Sequence, residues 1–330
     1  THIAPLACYA IALYLGGEMI MAGTITVGDF AAFTGYLGLI IWPVMGLGYL
    51  INTLQRGAAS LERIRQFLEQ PMYEPAEEER GLLQCAPEIS IQNLTFTYPN
   101  ATTPALRNLS CHIAPGAVVG IVGGTGSGKS TLLKLLLRLY DPPANTVYMN
   151  DKEIHTISFS SLRQSIGYVP QDSFLFSRTI GENIAYFGDW PRTRIEAAAR
   201  LAAVHEAIDE KPYGFATVLG EKGKRLSGGQ QQRVAIARAL VKEPPLLLFD
   251  DVFSALDYNT QAELLSHMRQ FVHGRTVLIV SQRIAAVKEV DTILVIHQGT
   301  VAEQGTHQEL VDKRGLYYQL YEQQLVTGES

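Results

Sequence analysis

The 330-residue chain is 47% hydrophobic and 18% charged, which excludes intrinsic disorder, and its length suits about two domains of ~100–200 residues each. A formal net charge of −5, without any long Lys/Arg block, removes the electrostatic case for a nucleic-acid partner. The charge is unevenly spread: residues 1–55 hold no Lys or Arg and only two acids, Glu18 and Asp29, so the front is membrane-like and the rest soluble-like.

The stretch Ile3–Ala22 matches the ~20 residues that a helix needs to cross a bilayer. A cleaved signal peptide would need a basic leader and a small-x-small cleavage site, which this stretch lacks. Phe30–Ile51 reads as a second span without any charge. The connector Gly23–Asp29 carries an acid and no base, whereas Arg56, Arg63 and Arg65 follow closely, so positive-inside bias puts the connector outside and everything after Arg56 in the cytoplasm. Pro43 is expected to kink the second span, and Gly35, Gly38, Gly46 and Gly48 suit close helix contacts. Glu18 reads as an interfacial carboxylate near a helix end. Two spans cannot enclose a transport pathway.

Leu61, Ile64 and Leu68, spaced i, i+3, i+7, continue an amphipathic helix out of the membrane until Pro71. Pro71–Pro87, with Glu77, Glu78 and Glu79 together, reads as a linker. Cys8, Cys85 and Cys111 lie far apart without metal-ligand spacing and read as reduced thiols in or facing a cytoplasm.

Beyond Pro87 strand-like runs alternate with helical ones. Strands are expected at Ile89–Tyr98, Ala117–Val122, Leu246–Phe249, Thr276–Val280 and Thr292–Ile296, with a helix over Ser130–Tyr140. That alternation predicts an α/β domain with a substantially parallel sheet. Ala117–Val122 leads into Gly123, Gly124, Thr125, Gly126, Ser127, Gly128, Lys129, Ser130 and Thr131, which satisfy the phosphate-loop pattern G-x-x-x-x-G-K-S/T between a strand and a helix. The glycines let backbone N–H groups converge on phosphate oxygens, Lys129 reaches the β- and γ-phosphates and Ser130 holds Mg²⁺. The apolar run Leu246–Phe249 ends in Asp250 and Asp251, which places a Mg²⁺-binding carboxylate, Asp250, at the edge of the sheet beside that loop.

Leu226, Ser227, Gly228, Gly229 and Gln230 then spell LSGGQ, which resembles the signature of ATP-binding cassette (ABC) proteins. The other cassette motifs stand in that family's order over about Glu88 to Tyr321: Tyr98, the phosphate loop, Gln171 in YVPQD, the signature, the acid strand, Ser254–Asp257 and a switch position at Gln282. TVLGEKGKRLSGGQ (Thr217–Gln230) resembles the loop that exporter cassettes place against their membrane domain. Ile25–Pro43, followed by LQRGAASLERI, resembles the last two transmembrane helices of an exporter half. Such halves carry six helices, so the chain is expected to be a C-terminal part lacking four.

The resemblance implies a P-loop ABC ATPase with a RecA-like mixed sheet, an antiparallel β subdomain and an α-helical signature subdomain, preceded by a two-helix remnant of an all-α membrane domain. The boundaries expected are 1–70 for the membrane part, 71–87 for the linker, 88–322 for the nucleotide-binding domain and 323–330 for a tail. ATP and Mg²⁺ are the implied cofactors. Tyr98 would stack on adenine, and Gln171 would join Ser130 and Asp250 around Mg²⁺ or the γ-phosphate. Ser227, Gly228, Gly229 and Gln230 would bind the nucleotide of the opposite cassette, and Asp257 would sit in the seam between the two.

Two departures bear on catalysis, for which Asp251, Gln282 and Lys129 are the expected residues. The family's general base is Glu, here the shorter Asp251, and its switch residue is usually His, here Gln282, which cannot become cationic. The expected protein is therefore the degenerate-site half of a heterodimeric exporter in the plasma (inner) membrane, multi-pass, with its cassette cytoplasmic and an unknown solute as cargo. A fully active homodimeric half, and a membrane-anchored cassette that binds ATP as a regulatory ligand, are the alternatives. A soluble cassette acting on DNA or ribosomes is disfavoured by the two spans.

Overall fold

The apolar front folds into two helices in the computed structural model, which describes residues 3–69, 85–99, 101–220, 223, 225–254 and 256–327. Most of the expected linker, including Pro71 and Glu77–Glu79, lies outside the described residues, as do Ala255 and, within the exporter-like loop, Glu221, Lys222 and Lys224. By its contacts the chain divides into two units, residues 1–74 and 75–330.

In the first unit α1 (Ile3–Met21) is followed by α2 (Val27–Leu68). The acid of the connector starts α2: Asp29 N–H donates to Thr26 Oγ1 at 3.2 Å and Asp29 Oδ2 accepts from Thr26 N at 3.0 Å, a reciprocal cap. From there α2 runs unbroken for 42 residues, through Pro43 and into the amphipathic stretch. Among the described residues it is the one helix long and apolar enough to cross a membrane; the apolar stretch of α1, Leu6–Met21, is shorter. Among the described residues, Gly38 and Gly16 are the glycines at which α1 and α2 come close. A Cβ on Gly38 would stand 2.8 Å from the Tyr9 hydroxyl and one on Gly16 2.3 Å from the Phe30 ring, whereas Gly35, Gly46 and Gly48 face open space.

The second unit begins with β1 (Ile89–Phe96) and β2 (Leu106–Ile113), then β3 (Val118–Val122), α3 (Lys129–Leu136), β4 (Val147–Met149), β5 (Lys152–Glu153), α4 (Phe159–Gln164) and β6 (Ile166–Val169). Helices α5 (Ile180–Ala185), α6 (Arg192–Leu201), α7 (His205–Asp209) and α8 (Gly228–Leu240) follow. The chain closes with β7 (Leu246–Asp250), α9 (Tyr258–Val272), β8 (Thr276–Val280), β9 (Thr292–His297), β10 (Thr300–Gly305), α10 (His307–Lys313) and α11 (Leu316–Thr327). Most expected strands are present within a residue or two. The expected helix over Ser130–Tyr140 ends early, because Arg138 takes a left-handed backbone (φ 46°) just after the cap residue Leu137.

Two sheets result, of order β2-β1-β4-β5 and β10-β9-β3-β8-β7-β6. The first is antiparallel throughout; in the second β9, β3, β8, β7 and β6 are parallel and β10 pairs antiparallel to β9. Apolar residues on successive positions of the parallel strands feed both faces. Leu247, Phe249, Val277 and Ile279 join one core with α8, and Leu246, Leu248, Leu278 and Val280 join the other with β1, β2 and α3. Strands covered on both faces read as continuous apolar runs, which is why they were legible beforehand. The second unit is therefore an α/β domain with one largely parallel mixed sheet and one antiparallel sheet, as the alternation of strand-like and helical runs implied.

Candidate functional site

Because β3, β6, β7 and β8 are parallel, the loops that leave them gather at one edge of the sheet, where open α/β folds place ligands. From β3 comes the phosphate loop. Gly123 has φ 151° and a Cβ there would lie 2.1 Å from the Ile296 carbonyl oxygen, so only glycine can begin the loop. Gly128, at φ 107°, ends it immediately before α3, with Ala105 O and the Leu106 side chain 2.7 Å from a would-be Cβ. Lys129 is 7% exposed and its Nζ donates to the carbonyls of Gly123 (2.7 Å) and Gly124 (2.8 Å). Burial pulls its pKa down, with Asp251 and Asp250 opposing. An ammonium held inside a ring of its own loop is a preformed anion site.

From β7 come the two acids. Ser130 Oγ donates to Asp250 Oδ1 at 2.7 Å, so a hydroxyl and a carboxylate 120 residues apart in sequence form one oxygen pair suited to Mg²⁺. Tyr168 of β6 donates its hydroxyl to Asp250 Oδ2 at 3.5 Å, and burial together with that carboxylate pushes the phenol up to about 12. Asp251 is 5% exposed, with a left-handed backbone at φ 50°. Its Oδ1 accepts from the Gln282 backbone N–H at 3.2 Å and its Oδ2 from the Gln282 side-chain amide at 3.4 Å. Burial raises the Asp251 pKa, against the lowering effects of that backbone bond and Lys129. A cavity of about 310 Å³ opens among Gly123, Gly124, Thr125, Asp251 and Gln282, and α11 adds Leu320 and Gln324 to its wall.

Tyr98 lies past the end of β1, its hydroxyl sharing a 3.0 Å hydrogen bond with Thr131 Oγ1 of α3. Tyr140 packs edge-on against it at 5.0 Å between ring centroids and remains 39% exposed. This aromatic corner beside the phosphate loop offers a stacking surface for a base. Gln171 follows β6 and is exposed at the same edge as Asp250.

Ser227, Gly228, Gly229 and Gln230 stand elsewhere, at the start of α8. Ser227 Oγ accepts from Gln230 N–H at 3.3 Å and Gln230 Oε1 from Ser227 N–H at 3.2 Å, a capping box. A Cβ on Gly228 would meet nothing within 4 Å, so no contact among the described residues requires glycine there. Asp257 caps α9 by accepting from Thr260 N–H at 2.9 Å and is exposed. The carboxylate is held below its usual range by that bond. Ser227, Gly228 and Asp257 are thus exposed and Gly229 and Gln230 half-buried, and none of the five lines the cavity formed by Asp251 and Gln282.

Sequence reasoning missed Tyr140, Tyr168, Arg283 and Gln324 around this site. Tyr168 could have been suspected, since it opens the YVPQD stretch. Arg283 donates from its guanidinium to the carbonyls of Leu256 (2.8 Å) and Ser254 (3.1 Å), tying the switch segment to the turn after β7.

Residues 106–254 match the family model described as "ABC transporter". The chain is 41% identical over 326 residues to the "Probable multidrug resistance ABC transporter ATP-binding/permease protein YheI" of Bacillus subtilis (strain 168), covering 98% of this chain and 56% of that protein. It is 40% identical over 321 residues to the "Leukotoxin export ATP-binding protein LtxB" of Aggregatibacter actinomycetemcomitans, covering 97% of this chain and 45% of that one. Among solved structures it resembles "Structure of a bacterial Atm1-family ABC exporter with ATP bound", with TM-score 0.76 and 38% identity over 97% of this chain and 59% of the other. The chain spans about half the length of the curated relatives it matches.

Proposed function

This chain belongs, through its cassette, to the ABC transporter family, and on that premise we propose that it is the ATP-binding and membrane part of an exporter half. With a second half it couples ATP binding and hydrolysis to the export of a solute across a lipid bilayer. The inner membrane, with the cassette on the cytoplasmic side, is the location this reading assigns. The observation that carries it is the gathering of the phosphate loop, the Ser130–Asp250 pair and Gln282 at one sheet edge.

In this reading Lys129 and the amides of Gly123–Thr131 hold the phosphates, and Tyr98 stacks on the adenine with Tyr140 behind it. Ser130, Asp250 and Gln171 hold Mg²⁺, which when bound neutralises charge on the phosphate oxygens. The signature residues Ser227, Gly228, Gly229 and Gln230 face the partner's nucleotide, and Asp257 lies in the seam. The open space over Gly228 supports that part, because a glycine without an internal reason leaves room for something outside the chain.

The site on this chain hydrolyses ATP slowly. A general base must present a free lone pair to water within about 3 Å. Asp251 has the shortest carboxylate arm available, and each of its oxygens already accepts one hydrogen bond from Gln282, which leaves fewer lone pairs for water. Gln282 in turn cannot supply positive charge beside a γ-phosphate. A partner half carrying the stronger site follows from this reading. The test is reconstitution of the chain, completed by its remaining helices, alone and with a candidate partner half, measuring ATPase and solute efflux. Equal, full turnover without a partner would replace the heterodimer by an active homodimer. ATP binding without efflux in either preparation would leave only a regulatory cassette.

A further inference from the structure

We infer that Gln324 on α11 is a positioning residue for the nucleotide site, holding the switch segment Gln282–Ile284 so that Gln282 can discriminate ATP from ADP. The inference rests on the reading of that site as an ATP site. Gln324 Nε2 donates to the Gln282 carbonyl at 2.6 Å and Gln324 Oε1 accepts from the Ile284 N–H at 2.8 Å. One side-chain amide thus pairs with two peptide groups, two residues apart, in the way a neighbouring strand would. Such a pair fixes the peptide planes on both sides of Arg283, whose backbone is extended (φ −88°, ψ 121°).

The segment so held is a junction. Its first residue gives the Asp251 carboxylate two hydrogen bonds, from the backbone at 3.2 Å and from the side chain at 3.4 Å. Its second residue, Arg283, reaches the carbonyls of Ser254 and Leu256 in the turn that leads to Asp257. Gln324 reaches the same segment from α11, and with Leu320 it lines the cavity that contains Asp251 and Gln282.

The clamp works only if α11 is itself held, and it is. Glu303 on β10 accepts from the Leu316 N–H at 2.6 Å and the Tyr317 N–H at 3.1 Å, satisfying the first turn of α11. Tyr317 is fully buried, and its hydroxyl is hydrogen-bonded to His307 Nδ1 at 2.7 Å. Gln324 lies two turns further along this anchored helix. A carbonyl fixed at 2.6 Å leaves Gln282 little freedom to rotate its peptide, and the direction of its side chain follows from that peptide.

The experiment photolabels the assembled transporter with 8-azido-ATP, isolates this chain, and measures displacement of the label by unlabelled Mg-ATP and Mg-ADP. The ratio of the two midpoints reports the contribution of the γ-phosphate at this site and needs no hydrolysis. Gln324→Met, similar in volume but without the amide, should leave the ADP midpoint unchanged and lower the preference for ATP by about threefold to tenfold, the worth of a typical lost hydrogen bond or two. Gln324→Glu, which keeps the acceptor for Ile284 N–H and loses the donor to Gln282, should fall between wild type and Gln324→Met.

An unchanged ratio in Gln324→Met overturns the inference, as does an equal weakening of both nucleotides, which would mean a merely structural role. A wild-type ratio near one also overturns it, since no γ-phosphate contact would then exist to be positioned. Lys129→Ala separates this failure from that of the underlying site: labelling that survives Lys129→Ala would show that the ATP site itself is misassigned.

Discussion

Asp251 and Gln282, 31 residues apart, are joined twice: the Gln282 backbone N–H meets one oxygen of the carboxylate at 3.2 Å and the Gln282 side-chain amide meets the other at 3.4 Å. The two positions at which the sequence departs from the exporter pattern are therefore one structural unit. In the proposed reading each of the two residues weakens catalysis by itself, and the hydrogen bonds between them add a restraint on the carboxylate.

That coupling predicts non-additive repair. Asp251→Glu extends the arm of the base but leaves the Gln282 amide able to follow it, while Gln282→His supplies a titratable contact but leaves the base short. The double change should raise turnover at this site by on the order of 10- to 100-fold, against a few-fold for either single change. Site-resolved single-turnover hydrolysis is the measurement, and additive single effects would break the link.

The two ends of the cassette should differ in their sensitivity. Gly229→Asp would set a carboxylate against the partner's γ-phosphate in a water-poor seam and should reduce steady-state ATPase of the assembled transporter by on the order of 100-fold. Asp251→Asn should leave the rate within about twofold, since in the proposed reading little hydrolysis depends on that base. If Asp251→Asn proved as damaging as Gly229→Asp, the site on this chain would be an ordinary hydrolytic one.

The pH dependence of stability has a definite sign at Asp251. Burial raises its folded pKa above the ordinary 3.8. The contribution of Asp251 to stability is therefore fully present below that ordinary value and is lost as pH rises through the higher folded value. Asparagine carries no such charge. The difference in Tm between Asp251→Asn and wild type should grow more positive from pH 4 to pH 7, and thermal melts at the two pH values check it. A difference that shrinks over this interval would mean that the Gln282 bonds outweigh burial.

Within the phosphate loop, neighbouring glycines should respond differently. A Cβ on Gly123 would overlap the Ile296 carbonyl at 2.1 Å on a backbone with φ 151°, so Gly123→Ala should destabilise the cassette by about 2–4 kcal/mol. A Cβ on Gly124 meets nothing within 4 Å, and Gly124→Ala should stay within about 0.5 kcal/mol while weakening nucleotide binding. Denaturant unfolding alongside nucleotide titration separates the two effects.

The sequence by itself determined the features whose physics is local. Lys129 behind a run of glycines and Asp250 at the end of an apolar strand can be read because a phosphate nest and a buried strand each need particular residues within a few positions. Continuous apolar strands announced a parallel sheet for the same reason. Tertiary structure decided what no spacing encodes: that Ser130 meets Asp250 at 2.7 Å, that Tyr140 comes to lie against Tyr98, and that Gln324, beyond the boundary expected at residue 322, clamps the backbone at Gln282. The Ser130–Asp250 contact depends on the order β10-β9-β3-β8-β7-β6, in which strands far apart in the chain become neighbours. Apolar periodicity states only that a strand is buried, and the choice of neighbour is made when side chains from both faces pack into the two cores together.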